Sequence, residues 1–379
     1  MGINDLIHKE SRRQKQTINL IASENYPSEA VKRALASDFT AKYAEGYPGR
    51  RYYAGNAVAD ELEETVKELA QKVFRTDYHV NVQPYSGSIA NLAAYFALLE
   101  VGETFMGLEL SHGGHLTHGH PVTISGRLYK RVPYFVDKKT EQLDYGVIRT
   151  LAKEHRPKLI ISGASAYSRE IDFGQISQIA HEVGAYHLAD ISHISGLIAS
   201  NLHNSPFGNA DVVMTTTHKL LRGPRGAVLF CKSELAKQID RAVFPGIQGG
   251  PHLNNIAAVG VCLEEALSPN YRAYCQSVKE NANALAEELK ARGFRVVSDG
   301  TDNHLFLIDL RPLKISGQTA QDRLERAGII VNKNAIPYDE APPQNPSGLR
   351  IGTPAITTRG AKPSEMPVLA EKFYQLLTT

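Results

Sequence analysis

A single lysine stands in a polar, glycine-flanked turn between two apolar segments. Lys219 lies within residues 215–226, and the flanking residues 210–214 and 227–230 have the length and composition of buried strands. A lysine at such a junction can reach a bound carbonyl group and form an imine with it. A lone loop lysine is ordinarily solvated, so the functional interpretation depends on what the rest of the chain supplies.

A carboxylate closes another apolar run upstream of this lysine. Asp190 ends a strand-like segment that begins near residue 185. Such a carboxylate could face the pyridine nitrogen of pyridoxal phosphate, keep it protonated and make the ring an electron sink. The alternative is a helix N-cap directly after a strand. Together with Lys219, the functional interpretation is favoured.

Two further motifs could hold the same cofactor. Ser86, Gly87 and Ser88 open an apolar helix, whose free N–H groups bind phosphate, although an ordinary N-cap looks the same. His115 lies in residues 111–120, which contain four histidines and, directly before His115, the adjacent glycines Gly113 and Gly114. No carboxylate or cysteine lies among these histidines, so we favour a ring-stacking His115 and expect no metal. The glycines predict a backbone that passes close to something flat.

The composition is that of an ordinary soluble globular protein. The chain is 42% hydrophobic and 22% charged with a net charge of +2, which indicates neither nucleic-acid nor membrane binding. Residues 1–7 lack the basic and apolar regions of a signal peptide. Cys231, Cys262 and Cys275 fit neither a disulfide framework nor a zinc site, so we expect them in the core of a cytoplasmic protein.

Helical and strand-like segments alternate between about residues 57 and 265. The predicted helices cover residues 60–72, 90–99 and 176–183, and the predicted strands cover residues 157–162, 185–189 and 211–215. This alternation predicts a mostly parallel sheet with helices on both faces. Ligands of such sheets bind at the carboxyl ends of the strands, where Asp190, Ser165 and Lys219 fall.

The pattern changes near residue 256. A long helical stretch that bends near residues 268–270 precedes strands and a helix at residues 294–297, 304–310, 320–327 and 329–331. These elements predict a smaller C-terminal α+β domain.

We divide the chain into an N-terminal helix and active-site arm (1–55), a large cofactor-binding α/β domain (56–269) and a small domain (270–379). The arm holds an irregular Gly/Tyr-rich loop at residues 43–53. Long irregular stretches of this kind are often functional.

These residues make the chain resemble the serine hydroxymethyltransferase family of fold-type-I pyridoxal-phosphate enzymes. The resemblance covers about residues 18–360, through motifs at residues 20–25, 42–53, 111–119, 215–226, 244–251, 332–334 and 350–355. It implies an α/β fold with a mostly parallel, seven-stranded-type sheet between helices. It also implies a cytoplasmic homodimer that interconverts L-serine and glycine and passes the one-carbon unit to tetrahydrofolate.

The resemblance further implies which residues contact pyridoxal phosphate. Lys219 would carry it as an imine with Thr216 close by, Asp190 would pair with the pyridine nitrogen, and His115 would stack on the ring. The remaining contacts, to the ring oxygen and the phosphate, would come from Ser165, His193, Ser86, Gly87, Ser88 and His218. A second subunit would contribute Tyr43, Gly249 and Gly250.

The same resemblance assigns the substrate contacts. Arg350 would clamp the amino-acid carboxylate as a bidentate pair, assisted by Ser23. From the second subunit, Glu45 would act as acid and base at the hydroxymethyl group, and Tyr53 would line the same pocket. The folate would be bordered by Leu110, Gly114, Leu116 and Asn334.

The chain departs from the family pattern at Leu220, at Ile89, in residues 189–193 around the acid and in residues 341–346. Leu220 stands where threonine is usual, so we expect one hydroxyl fewer near the imine. Residues 341–346 replace the commoner loop before Arg350. That loop borders the expected folate site, which leaves the type of folate open, and the sequence does not distinguish a dimer from a tetramer.

Two other functions compete with the one that the resemblance implies. A folate-independent aldolase or transaldolase would cleave threonine or other β-hydroxy amino acids, but the retained Glu45, Leu116 and Asn334 argue against it. A catalytically inactive relative of these enzymes could act as a binding or regulatory module. Loss of activity is usually accompanied by loss of the lysine, the acid or the carboxylate clamp, and Lys219, Asp190 and Arg350 are all present.

Overall fold

The computed structural model describes residues 2–378, in which helices and strands alternate. The strands are β1 (Ile18–Asn19), β2 (Gly46–Tyr47), β3 (Arg50–Arg51), β4 (His79–Asn81), β5 (Thr104–Leu108), β6 (Lys130–Tyr134), β7 (Leu159–Ser162), β8 (Tyr186–Asp190), β9 (Val212–Thr216), β10 (Ala227–Cys231), β11 (Arg295–Val296), β12 (Leu305–Asp309), β13 (Ile329–Ile330), β14 (Asn332–Asn334) and β15 (Gly348–Gly352). The helices are α1 (Ile3–Gln16), α2 (Glu29–Leu35), α3 (Ala57–Phe74), α4 (Gly87–Leu98), α5 (Ile124–Leu128), α6 (Tyr145–His155), α7 (Phe173–Glu182), α8 (Ser195–Ala199), α9 (Ala236–Arg241), α10 (Leu253–Ala266), α11 (Pro269–Ala291), α12 (Gly317–Arg326), α13 (Pro354–Thr358) and α14 (Met366–Thr378).

Seven strands form a central sheet in the order β4-β10-β9-β8-β7-β5-β6. All neighbours from β9 to β6 are parallel, whereas β10 runs antiparallel to both β9 and β4. Strands β7, β9 and β10 are buried at every residue, as expected for strands covered on both faces. The predicted mostly parallel, seven-stranded sheet is confirmed, with one antiparallel strand inside it.

The carboxyl ends of β8 and β9 bring the acid and the lysine together. β8 ends at Asp190, β9 ends at Thr216 just before Lys219, and the register pairs Asp190 with Met214. Gly163, which follows β7, has a φ of +112°, and a Cβ there would lie 2.0 Å from the backbone oxygen of Asp190. Only glycine therefore fits between the ends of β7 and β8.

The predicted helices are present with shifted ends, except for one that is broken. The stretch from residue 256 to Arg292 is two helices, α10 and α11, so the prediction of a single bent helix was wrong. Ser268 caps α11 by accepting the N–H of Tyr271 at 3.3 Å, and Pro269 is its first residue. Proline lacks an N–H and clashes with the preceding turn, so α10 cannot continue through it.

A second sheet of four antiparallel strands, β11-β12-β15-β14, lies in the C-terminal part. The predicted strand at residues 329–331 is not part of it, because β13 pairs with β1 instead. Helix α11 packs on both cores: its residues up to Val278 contact the core of the large sheet, and those from Leu285 contact that of the small one. The domain limits given above stay predictions.

The N-terminal region is the least buried part of the chain. Helix α1 has no buried residue, and Ile3 and Ile7 are 75% and 59% exposed. Residues 43–53 contain only the short antiparallel pair of β2 and β3. Throughout residues 2–378, every helix falls short of the length and apolarity that a membrane crossing requires.

Candidate active site

A cavity of about 360 Å³ opens where β7, β8 and β9 end and α4 begins. Its volume suits a small cofactor with part of a substrate. Twelve residues that the sequence singled out line it: Ser23, Ser86, Gly87, Ser88, His115, Ser165, Asp190, His193, Thr216, His218, Lys219 and Arg350. Side chains from across the chain, including both sheets, therefore converge on one site.

Lys219 presents its amine to the cavity beside a hydroxyl group. Its Nζ donates to Oγ1 of Thr216 at 2.9 Å, and its backbone carbonyl accepts from Nδ2 of Asn25 at 3.0 Å. Burial lowers the pKa of Lys219 to about 8; the charge of Asp190 opposes this shift, and that of Arg350 adds to it. A larger fraction of the amine is therefore neutral near pH 7, and the neutral amine is the nucleophile.

Asp190 is held as a carboxylate by three donors. Its Oδ2 accepts from Nδ2 of Asn91 at 3.0 Å and from Nε2 of His118 at 3.2 Å, and its Oδ1 accepts from the backbone N–H of Ser192 at 3.1 Å. Burial alone would raise the pKa of Asp190, but hydrogen bonds from His118 and Ser192 outweigh it and hold the pKa well below its usual range. An ionised Asp190 can stabilise a protonated ring nitrogen.

The helix N-cap alternative for Asp190 is not supported. The next helix, α8, begins at Ser195 with Ile194 at its N-cap position. The contact from Asp190 to the N–H of Ser192 closes a local turn instead. The carboxylate at the end of β8 thus does not cap a helix and lies in the cavity wall.

The histidines of residues 112–120 have different contacts. His115 lines the cavity and its Nδ1 lies 2.7 Å from Oγ1 of Thr117. Burial lowers the pKa of His115 to about 4, so its ring is neutral and suited to stacking. His118 contacts Asp190, whereas the ring of His112 packs on that of Tyr338 with centroids 4.6 Å apart.

The two glycines before His115 approach the chain's own backbone. A Cβ on Gly113 would lie 2.6 Å from the backbone oxygen of Ala166, and one on Gly114 would lie 2.1 Å from that of Leu108. The flat object that the sequence led us to expect is therefore the peptide backbone of neighbouring segments. Glycine is needed here to seat the loop that carries His115.

Within residues 2–378, the start of α4 has no capping side chain. Ser86 is the N-cap residue, yet its side chain accepts no capping hydrogen bond, so the ordinary N-cap alternative fails. Gly87 leaves no room for a side chain, because a Cβ there would lie 2.6 Å from the methyl group of Thr216. Nδ1 of His218 is buried without a hydrogen-bond partner among residues 2–378, and Arg225 adds positive charge to the wall. This end of the cavity fits a phosphate group.

Arg350 enters the cavity from the small sheet. It lies directly opposite Asn332 across the β14–β15 pair, and its Nε donates to Oδ1 of Asn332 at 3.1 Å. Its Nη1 donates to the backbone oxygen of Ser165 at 2.8 Å, and burial lowers the pKa of Arg350 to about 10. With Ser23 beside it in the wall, this guanidinium suits a carboxylate ligand.

Five of the expected active-site residues lie outside the cavity wall and form a cluster of their own. A Cβ on Gly250 would lie 3.3 Å from Cγ of Glu45, and the rings of Tyr43 and Tyr53 are 5.4 Å apart. Tyr43 and Tyr53 are 61% and 49% exposed, and Gly249 is also exposed. These residues are thus absent from the wall that residues 2–378 of one chain form.

The expected folate residues also lie outside the wall. Leu110 is in a 3₁₀ turn after β5, and Leu116, next to His115, is 46% exposed. Gly114 is buried in the same loop, and Asn334 ends β14. They flank the loop of His115 and the strand next to Arg350.

The cavity also contains residues that the sequence did not single out: Tyr85, Asn91, Ala164, Ser192, Met214, Arg225 and Gly226. Asn91 could have been found, because it follows Gly87 by one helical turn and so shares its face of α4. Arg225 is a second cation in the turn of Lys219. Ser192 and Met214 carry no such signal, since only the pairing of β8 with β9 brings them to the wall.

Leu220 does not act on the imine position as expected. Its side chain is fully buried, and a Cβ on Gly196 would lie 2.7 Å from Leu220 Cγ. Leu220 belongs to the core of the large sheet and is not part of the cavity wall. The hydroxyl beside Lys219 is that of Thr216, which the departure at position 220 leaves in place.

Fold and site together define a fold-type-I enzyme that uses pyridoxal phosphate. A lysine with a lowered pKa, an ionised acid at a strand end and an unused phosphate cradle fit the three parts of this cofactor. The family model of serine hydroxymethyltransferase matches residues 1–373, and the chain belongs to this family. It is a pyridoxal-phosphate-dependent transferase, a glycine hydroxymethyltransferase that interconverts serine and glycine, and the family uses tetrahydrofolate as co-substrate.

Proposed function

We propose that this chain transfers the hydroxymethyl carbon of serine to tetrahydrofolate in active sites that two copies of the chain share. The observation that carries the proposal is the division of the polar residues into two groups. One cavity holds Lys219, Asp190 and Arg350, while Glu45 and its neighbours in the arm are clustered outside it. Pyridoxal phosphate, when bound, withdraws electrons from the bonds of the amino acid's α-carbon.

Within one copy, the cavity residues hold the cofactor and the substrate carboxylate. Lys219 would bond to the cofactor, Asp190 would keep a proton on the ring nitrogen, and His115 would cover the ring. The phosphate is held by donors at the start of α4 and in the lysine loop, namely Ser86, Gly87, Ser88 and His218. Ser165 and His193 contact the ring oxygen, and Thr216 stays beside the lysine amine, in keeping with the distance of 2.9 Å.

Substrate recognition combines both copies. Arg350 and Ser23 fix the carboxylate, which places the hydroxymethyl group toward the arm of the second copy. Glu45 of that copy exchanges a proton with the substrate hydroxyl, beside Tyr53. Tyr43, Gly249 and Gly250 of the same copy complete the cofactor site. The pterin lies against Leu110, Gly114, Leu116 and Asn334.

The homodimer is the smallest assembly that this proposal requires. Exposed apolar residues of α1 support an association, because a 14-residue helix without a buried residue gains little stability alone. We also place the protein in the cytoplasm, since Cys231, Cys262 and Cys275 are free and buried.

Serine cleavage with and without tetrahydrofolate tests the transfer step. We expect folate to raise the rate of glycine formation from serine at least about tenfold, because the one-carbon unit is captured in place. Equal rates under both conditions would instead support the folate-independent aldolase. Threonine cleavage, which needs no acceptor, serves as the control and should not respond to folate.

A mixing experiment tests the shared site. Lys219→Ala and Glu45→Gln should each retain no more than about a hundredth of wild-type activity as homodimers, because each lacks one essential group in both sites. After mixed refolding, about a quarter of wild-type activity should return, since half of random dimers are heterodimers with one intact site. Mixtures that stay inactive although heterodimers form would contradict the shared site.

A further inference from the structure

Backbone N–H groups assign the protons of the two histidines nearest Asp190. A backbone N–H can only donate. The N–H of Thr117 donates to Nδ1 of His115 at 3.2 Å, so a neutral His115 carries its proton on Nε2. In the same way, the N–H of His115 donates to Nδ1 of His118 at 3.3 Å, so Nε2 of His118 carries the proton that Asp190 accepts.

A chain of side-chain hydrogen bonds connects Asp190 with His115. Asn91 uses its Nδ2 twice, donating to Oδ2 of Asp190 at 3.0 Å and to Oγ1 of Thr117 at 2.9 Å. Because the Thr117 hydroxyl accepts from Asn91, its own proton is available for Nδ1 of His115, 2.7 Å away. Nδ1 of His115 therefore receives two donors from the same residue.

The orientation of the Asn91 amide follows from charge. With the amide turned over, its oxygen would face the Asp190 carboxylate, and two acceptors would repel each other. In the observed orientation Oδ1 is buried without a partner in residues 2–378, an arrangement that costs free energy. Asn91 is fully buried and Thr117 is 6% exposed, so bulk water does not compete for these bonds. The Asn91 amide nitrogen thus donates both of its hydrogens to the hydrogen-bond series, while the amide oxygen is left without a partner in residues 2–378.

We propose that Asn91 and Thr117 are positioning residues that join Asp190 to His115 and aim the Nε2–H of His115 into the cavity. The acid and the histidine are then held at a fixed separation before a ligand arrives, which reduces the ordering that binding requires. The inference rests on the proposed function only in taking Asp190 and His115 as the contacts of the cofactor ring. The hydrogen-bond chain belongs to the protein alone.

Thr117→Val tests the hydrogen-bond series from Asp190 to His115, because it removes the hydroxyl and keeps the shape of the side chain. In cofactor-free protein with ¹⁵N-labelled histidine, both proteins should show the Nε2–H tautomer for His115, because the backbone N–H of residue 117 still donates to Nδ1. The Nδ1 shift should differ in the variant, because Nδ1 has lost its hydroxyl donor. The dissociation constant for pyridoxal phosphate should rise about 5-fold, as expected for the loss of one hydrogen bond. Thr117→Ser, which restores the hydroxyl, should return both values to those of wild type.

Tyr95→Phe is the matched control. The Tyr95 hydroxyl also lies on α4 and donates to the backbone oxygen of Thr117 at 2.9 Å, outside the side-chain sequence from Asp190 to His115. Its loss should lower the melting temperature and leave the Nδ1 shift of His115 and the cofactor affinity unchanged. A Tyr95→Phe protein that shifts both readings as much as Thr117→Val would overturn the proposal.

A double variant separates a connected chain from two independent contacts. Asn91→Ala and Thr117→Val together should weaken cofactor binding no more than the stronger single change, because residues in one network are not additive. Additive losses, or a Thr117→Val protein with a wild-type Nδ1 shift and wild-type affinity, would contradict the proposal. Folate stimulation is measured separately, so failure of the proposed function would leave the result for the Nδ1 shift intact.

Discussion

The cavity wall and the arm of residues 43–53 differ in where their polar groups find partners. In the wall, Asp190, Lys219 and Arg350 are bound by groups of the same chain, and burial lowers the pKa values of Lys219 and Arg350. In the arm, the rings of Tyr43 and Tyr53 contact each other and are otherwise largely exposed. The wall residues are therefore held in place by their own chain, whereas the arm presents the side chains of Tyr43 and Tyr53 outward.

The arm is nevertheless anchored firmly through its backbone. Arg51 donates to the backbone oxygens of Ala44 and Gly46 and forms a buried ion pair with Glu63 at 2.7 Å. Gln83 donates to the same Gly46 oxygen and to Glu63. Buried polar contacts of this kind are costly unless fully paired, so they specify one shape. A rigid backbone that carries exposed side chains suits residues that enter the active site of a second copy of the chain.

Loss of the lysine should have the largest effect and should affect the wall alone. Lys219→Ala removes the only covalent attachment that we propose for the cofactor, so serine–glycine conversion should fall at least about a thousandfold. Steady-state turnover and the visible absorbance of the purified protein measure the two losses. Retention of more than a tenth of the activity would show that the wall does not depend on this residue.

Glu45→Gln should give the opposite pattern in the arm. Turnover should fall about a hundredfold through loss of proton exchange, while the dissociation constant for pyridoxal phosphate stays within about twofold. Kinetics and cofactor titration on the same preparation measure both. Glu61→Gln, an exposed glutamate on α3, is the matched control and should change neither. A large loss of cofactor affinity would remove the distinction between arm and wall.

Arg350→Lys should separate substrate binding from chemistry. A lysine keeps the charge but cannot form a bidentate pair, so the KM for serine should rise about 10- to 100-fold with a smaller change in kcat. The cofactor affinity should stay near that of wild type. An unchanged KM would place the carboxylate elsewhere in the cavity.

The pH dependence of cofactor uptake should report the lowered pKa of Lys219. Only the neutral amine attacks, so the uptake rate should rise about tenfold per pH unit below pH 8 and level off above it. Asp190 raises the pKa of Lys219, so Asp190→Asn should move the midpoint to lower pH. Stopped-flow absorbance follows both reactions. A midpoint near pH 10.5 would mean that the amine is solvated.

Leu220→Thr should have the smallest effect on activity. The change places a hydroxyl in the core and removes apolar volume, which should lower the free energy of unfolding by about 2 kcal/mol. Denaturant unfolding measures this loss, and kcat/KM should stay within about twofold. A clear gain in activity would mean that position 220 acts on the site after all.

Much of the fold was predictable because apolar runs and turns are local signals. The strands before Asp190 and Lys219 were placed within one or two residues, and the ends of parallel strands meet at one sheet edge. The sequence predicted one bent helix where the structure has two helices that meet at Pro269. The two possibilities differ in the hydrogen bond by which Ser268 caps the second helix, and the sequence pattern does not reveal that bond. The partner of β13 was not predictable, since strand pairing depends on distant parts of the chain.

The residue types themselves established the chemistry of this protein: an imine-forming lysine, an acid at a strand end, a glycine-rich helix start and a carboxylate clamp. Tertiary structure alone decided that Leu220 packs in the core, that Asn91 and Thr117 stand between Asp190 and His115, and that the arm lies outside the cavity. The reason is that the reactions a residue can carry out depend on the type of its side chain. Its partners, its proton positions and its pKa are set by neighbours that sequence distance does not reveal.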